Sequence, residues 1–229
     1  MAGNEFDGYR SNYSETVNKS IAFSGLTVDF FTEAKAVRML DVLEARLGST
    51  GKLSVLDVGC GVGSYHALLR DRLGQLTGVD PSSECLAEAE QTNPAVNYRA
   101  YDGDVIPFES GTFDAASAIC VMHHVPLARR AKFASELKRV VRPGGLALLF
   151  EHNPYNPLTR RAVSNCPFDA DAVLLSMKTA KDHLRQAGFR EIDGRYILSI
   201  PSIAGLARSM DDALGVLPTG AQYYVCGRA

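Results

Sequence analysis

Two rhythms of apolar residues alternate along this chain. Short runs rich in aliphatic and β-branched residues occur at Ser54–Val58, Leu76–Val79, Val96–Ala100, Ala115–Ile119 and Leu146–Glu151, the pattern of strands buried on both faces. Between them, Tyr65–Leu73, Ser82–Gln91 and Pro126–Val141 carry helical spacing. Upstream, Phe31, Ala34, Met39, Leu43 and Leu47 give one apolar face to a helix over Phe30–Leu47, and Gly48-Ser49-Thr50-Gly51 ends it. Downstream, a helix at Thr179–Ala187 leads to a strand near Phe189–Ile200, a helix near Ser202–Leu214 and a last strand at Gln222–Cys226. Strands alternating with helices predict an α/β, doubly wound, mainly parallel sheet with right-handed crossovers.

A chain of 229 residues suits one domain. The sheet core spans 52–151 and continues over 176–229. An N-terminal lid and helical segment (1–47) and an insertion after the fifth strand (152–175) lie outside it. Both are expected at the carboxyl ends of the strands, where open α/β sheets bind ligands. A connection of about 24 residues is long for a compact domain and is often functional, so these segments are expected to cover the substrate.

The first strand ends in a glycine-rich turn, Asp57-Val58-Gly59-Cys60-Gly61-Val62-Gly63. Without Cβ atoms the turn closes tightly and lets a ligand lie on its backbone. About twenty residues further on, the second strand ends in Asp80, an acid placed to accept from ribose hydroxyls. A dinucleotide site uses G-x-G-x-x-G; here the spacing is G-x-G-x-G.

That spacing resembles the first motif of the class I S-adenosylmethionine (SAM)-dependent methyltransferases. Asp80-Pro81-Ser82 resembles the family's ribose motif, and Asp102-Gly103-Asp104 through Phe108 its acidic adenine loop. Phe113-Asp114-Ala115 is similar to the start of its fourth strand, and Arg139 through Gly145 to the turn before its fifth. The resemblance covers roughly Lys52–Glu151. It implies a Rossmann-like, seven-stranded sheet whose last strand enters antiparallel between its two predecessors. It implies SAM as cofactor, released as S-adenosylhomocysteine. The expected cofactor contacts are Tyr13, Asp57, Gly59, Cys60, Gly61, Gly63, Asp80, Pro81, Asp102, Gly103 and Cys120, with Asp57 toward the ammonium group.

Composition narrows the partners. Hydrophobic residues make up 46% of the chain and the net charge is −2, with no long basic run. Phosphate-rich polymers need clustered Lys and Arg, so a small molecule is expected rather than nucleic acid. No apolar stretch approaches the ~18 residues of a membrane span, and the polar N-terminus does not read as a secretory signal. The five scattered cysteines form no C-x-x-C pair, so a cytoplasmic, reduced protein without a metal site is expected.

Methyl transfer from a sulfonium is chiefly a matter of alignment, and a base is needed only where the nucleophile must lose a proton. His123 and His124 follow the fourth strand and Glu151 ends the fifth, so these three are the catalytic candidates. His66 reads as a surface or packing residue and His183 as a surface residue. The leading expectation is methylation of a small molecule at oxygen. A protein or RNA methyltransferase and a non-catalytic SAM-binding module stay open. An NAD(P) oxidoreductase is disfavoured by the glycine spacing and by the missing Tyr-x-x-x-Lys pair.

Overall fold

The computed structural model describes residues 13–229, Tyr13 by its backbone alone. In chain order the elements are α1 (Tyr13–Ile21), α2 (Val28–Leu47), β1 (Ser54–Val58), α3 (His66–Leu69), β2 (Gln75–Asp80), α4 (Ser83–Thr92), β3 (Asn97–Ala100) and β4 (Phe113–Ile119). They continue with α5 (Arg130–Val140), β5 (Val141–His152), α6 (Pro157–Asn165), α7 (Met177–Gln186), β6 (Arg190–Ile197), α8 (Gly205–Leu214) and β7 (Gln222–Arg228). The strands form one sheet in the order β3-β2-β1-β4-β5-β7-β6. β3, β2, β1, β4 and β5 run parallel, and β7 lies antiparallel between β5 and β6. This is the seven-stranded, doubly wound arrangement that the sequence implies.

The two-residue period of the strands divides the core. Val55, Ala115, Leu146 and Leu148 face α2, while Leu56, Ala116, Ala147 and Leu149 face α5 and α7. Polar caps start the helices: Thr27 Oγ1 accepts from Phe30 N at α2, Ser82 Oγ from Cys85 N at α4, and Ser176 Oγ from Thr179 N at α7. Ser82 therefore caps α4, which leaves Asp80 for the sheet edge.

Two boundaries differ from the apolar pattern. α3 is a single turn, not a helix to Leu73, because the chain must reverse at Gly74 to enter β2 beside Lys52. A Cβ on Gly74 would meet the Lys52 carbonyl carbon at 2.8 Å. β5 begins at Val141, five residues before Leu146. Arg142 through Gly145 form an irregularity inside the strand rather than a turn ahead of it. Gly145 passes so close to β4 that no side chain fits there.

Candidate active site

The carboxyl ends of β1, β2, β4 and β5 open into one cavity of about 710 Å³. Its base is the glycine turn. The N–H groups of Gly59 (2.8 Å) and Cys60 (3.1 Å) donate to Val79 O, and Gly61 N donates to Asp80 Oδ2 at 2.8 Å. Gly61 has φ +52°, and its missing Cβ points into open space that a flat ligand group can fill. Burial pushes the Asp80 carboxyl above its ordinary range, and bonds from Ser82 N and Gly61 N hold it partly back. The groups that a nucleoside with an amino-acid tail requires are thus present in one wall. They are an acid at the second strand end, bare backbone at the turn, and the loop Asp102-Gly103 opposite.

The expected cofactor residues divide. Gly59, Cys60, Gly61, Asp80, Pro81, Asp102, Gly103 and Cys120 line the cavity. Asp102 is exposed, and its Oδ1 accepts from Asp104 N (2.8 Å) and Val105 N (3.0 Å), which hold its carboxyl below the usual range. The side chain of Tyr13 lies outside the described residues. Asp57 and Gly63 are not in the cavity wall.

Asp57 requires a correction. It is 2% exposed and faces away from the ligand space. Oδ1 accepts from Ser117 Oγ (2.9 Å) on β4, and Oδ2 lies 3.2 Å from His66 Nε2, whose Nδ1 is 2.6 Å from the Tyr98 hydroxyl. A carboxylate only accepts, so Nε2–H donates to Asp57 and Nδ1 takes the Tyr98 proton. His66 is therefore a buried member of this chain, not a surface residue. Gly63 is bare because a Cβ there would reach 2.9 Å from the Tyr98 oxygen and 3.0 Å from His66 Nδ1.

The candidate catalytic residues gather at the opposite wall. Glu151 is buried and outside the cavity lining. Its Oε1 accepts from Met122 N (2.7 Å), and Oε2 lies 2.5 Å from His123 Nδ1. His123 Nε2 is 3.4 Å from Asp169 Oδ1. Burial alone would lower His123, but the neighbouring carboxylates of Glu151 and Asp169 outweigh it and lift the imidazole to about 10. Burial and the neighbouring His123 charge push His124 the other way. His124 lines the cavity, with its Nδ1 3.2 Å from Asp171 Oδ1.

Several residues here gave no signal in the sequence. Lys35 on α2 is buried, with its Nζ 3.7 Å from Cys120 Sγ and 5.4 Å from the Tyr65 ring centre. Burial raises the Cys120 thiol, but the Lys35 ammonium and His152 overcome it and bring it down to about 7. Cys120 also holds φ +59°, unusual for a residue with a side chain. Asp169 and His152 join the wall from the 152–175 segment. Buried Arg130 ties that segment down: its guanidinium donates to Val173 O (2.6 Å), Val125 O (3.0 Å) and His123 O (3.3 Å). A sequence shows residue types but not that one helix cation and one loop acid converge on the same strand ends. α1, α6 and the turn at 167–169 complete an apolar wall through Val17, Ile21, Val163 and Phe168, and Ser20 Oγ on α1 donates to Asn165 O at 3.1 Å.

Comparison with known proteins places this geometry. Residues 56–149 match the family model of a methyltransferase domain. A malonyl-[acyl-carrier protein] O-methyltransferase of Pseudescherichia vulneris is 36% identical over 134 residues, covering 56% of this chain and 52% of that protein. Squalene methyltransferase 1 of Botryococcus braunii is 26% identical over 211 residues, covering 86% of this chain and 54% of that protein. The chain spans about half the length of these curated relatives. In fold it is similar to the solved structure of a SAM-dependent methyltransferase from Thermotoga maritima, with a TM-score of 0.69, 20% identity and 97% of each chain covered.

Proposed function

We propose that this chain, whose residues 56–149 match a methyltransferase domain, is a class I SAM-dependent methyltransferase that transfers a methyl group to a small, largely apolar acceptor, most readily at oxygen. The observation that carries the reading is Asp80 at the end of β2, fixed by Gly61 N beside bare backbone in a cavity that also holds His123 and His124. SAM, when bound, supplies an electrophilic methyl group on sulfur. The chain's part is to hold and to align. Asp80 accepts from the ribose hydroxyls, the Asp102-Gly103 loop borders the adenine, and the exposed turn backbone takes the amino-acid tail.

The rest of the cavity belongs to the acceptor. The wall made by α1, α6 and the turn at 167–169 presents Ile21, Val163 and Phe168, which suits an apolar body. The relative named for squalene agrees with an apolar acceptor, and the one named for malonyl-[acyl-carrier protein] with methylation at oxygen. Among the described residues no helix is long and apolar enough to cross a membrane. His124 is the candidate base. Glu151 is a positioning residue, acting through His123 and the Met122 amide.

Binding tests the reading directly. Calorimetry should show micromolar SAM and S-adenosylhomocysteine binding and far weaker NAD binding; the reverse order would end it. Asp80→Ala should weaken SAM by roughly 10- to 100-fold, since unpaired polar groups on burial cost about 1–3 kcal/mol. Unchanged affinity in that variant would remove Asp80 from the ribose site.

A further inference from the structure

We propose that His123, His152 and Asp169 form a binding site for one divalent transition-metal ion. One ligand atom from each lies within 4.8 Å of the others, and all three side chains line the cavity. The closest pair, His123 Nε2 and Asp169 Oδ1, is 3.4 Å apart. Two ligands at ~2.1 Å from a tetrahedral ion lie ~3.4 Å apart, so that pair is already spaced for one, and the His152 ligand atom lies within 4.8 Å of both.

A buried polar atom points to the ion independently. His123 Nε2 is buried and makes no hydrogen bond. Its other nitrogen is held by Glu151, which is itself fixed by Met122 N. A carboxylate behind a ligating imidazole is the arrangement that aims the free nitrogen at a metal. Gln222 Nε2 stands 3.4 Å from His152 Nδ1. Exchanging the two ends of this amide lets Oε1 accept from His152 Nδ1–H. His152 Nε2 then carries the lone pair.

Chemistry selects the ion. Two imidazoles and one carboxylate suit zinc, cobalt or iron in the divalent state, whereas magnesium and calcium prefer all-oxygen sites. Asp169 and Glu151 supply two negative charges against the dication. Three protein ligands leave a coordination position open toward the cavity, as in catalytic rather than structural sites. That an acceptor hydroxyl or enolate oxygen fills this position rests on the methyl-transfer reading; ion binding does not.

The test uses the full chain, free of any histidine tag and stripped with chelator, titrated with Zn²⁺ by calorimetry and with Co²⁺ by visible absorption, without SAM. We expect one ion per chain and a Co²⁺ spectrum of low-symmetry coordination. His152→Ala and Asp169→Asn should each weaken Zn²⁺ by more than 100-fold. Glu151→Gln should weaken it by about 10- to 100-fold. SAM calorimetry on the same variants reports that the fold is kept. Absence of stoichiometric Zn²⁺ and Co²⁺ binding, or binding that His152→Ala leaves unchanged in a variant that still binds SAM, would overturn the site and leave the methyl-transfer reading standing. Zn²⁺ binding by a chain that does not bind SAM would support the metal site and sink the other reading.

Discussion

Replacing His124 by Ala should lower turnover by about 10²–10⁴-fold while SAM affinity stays within about twofold, the loss expected when a positioned general base is removed. Geometry separates the two adjacent histidines. His123 is almost fully buried, with its Nδ1 2.5 Å from Glu151 Oε2 and its Nε2 3.4 Å from Asp169 Oδ1. His124 keeps 19% of its side chain exposed in the cavity, and Asp171 sits 3.2 Å from its Nδ1. Asp169 Oδ1 also lies 3.5 Å from its Nε2, so two acids orient a ring that stands at the cavity wall, the support expected of a histidine base. Single-turnover rates with saturating SAM, measured beside calorimetric affinity, check the expectation. If His124→Ala retains near-normal turnover, the acceptor arrives already nucleophilic, as a neutral amine, a thiolate or an activated carbon, and the protein contributes alignment alone.

What the sequence made legible was local. Strand after strand, the period of two and the glycine turn are properties of neighbouring residues, so β1, β2 and the Asp80 edge follow from the sequence. The antiparallel placement of β7 came only through resemblance, since nothing in Gln222–Cys226 states its neighbours. The fate of individual polar side chains was harder. His152 stands at the end of β5 beside the residues that follow β4, and only the return of the chain after β5 brings Asp169 to His123 and His152. Arg130 reads as one charge on an amphipathic helix until its three carbonyl partners are seen. Gly63 illustrates the converse error: a glycine in a binding motif is bare for the sake of Tyr98 and His66 rather than for the ligand.

Asp57 offers the sharpest separation of motif from physics. If it met the cofactor's ammonium group, Asp57→Ala would cost affinity and spare the fold. The structure gives the opposite expectation. The carboxylate is the buried acceptor for Ser117 Oγ and for His66 Nε2–H, and through His66 it holds the Tyr98 hydroxyl. Truncation strands two buried donors, each costing about 1–3 kcal/mol, so a stability loss of about 2–5 kcal/mol is expected. In a chain of this size that corresponds to a fall in Tm of about 5–15 °C. Cofactor affinity per folded molecule should change by less than about tenfold, because the turn that faces the ligand is held separately by Val79 O and Asp80. Asp57→Asn keeps one acceptor oxygen and should recover part of the lost stability. Thermal melts with and without SAM distinguish the two: a melt unchanged without SAM, paired with a large loss of SAM affinity, would return Asp57 to the cofactor site. The expected pattern, a large fall in Tm with binding preserved at low temperature, would mean that the motif's acid acts by fixing His66, Tyr98 and Ser117 behind the glycine turn, a stabilising role rather than a contact with the ligand.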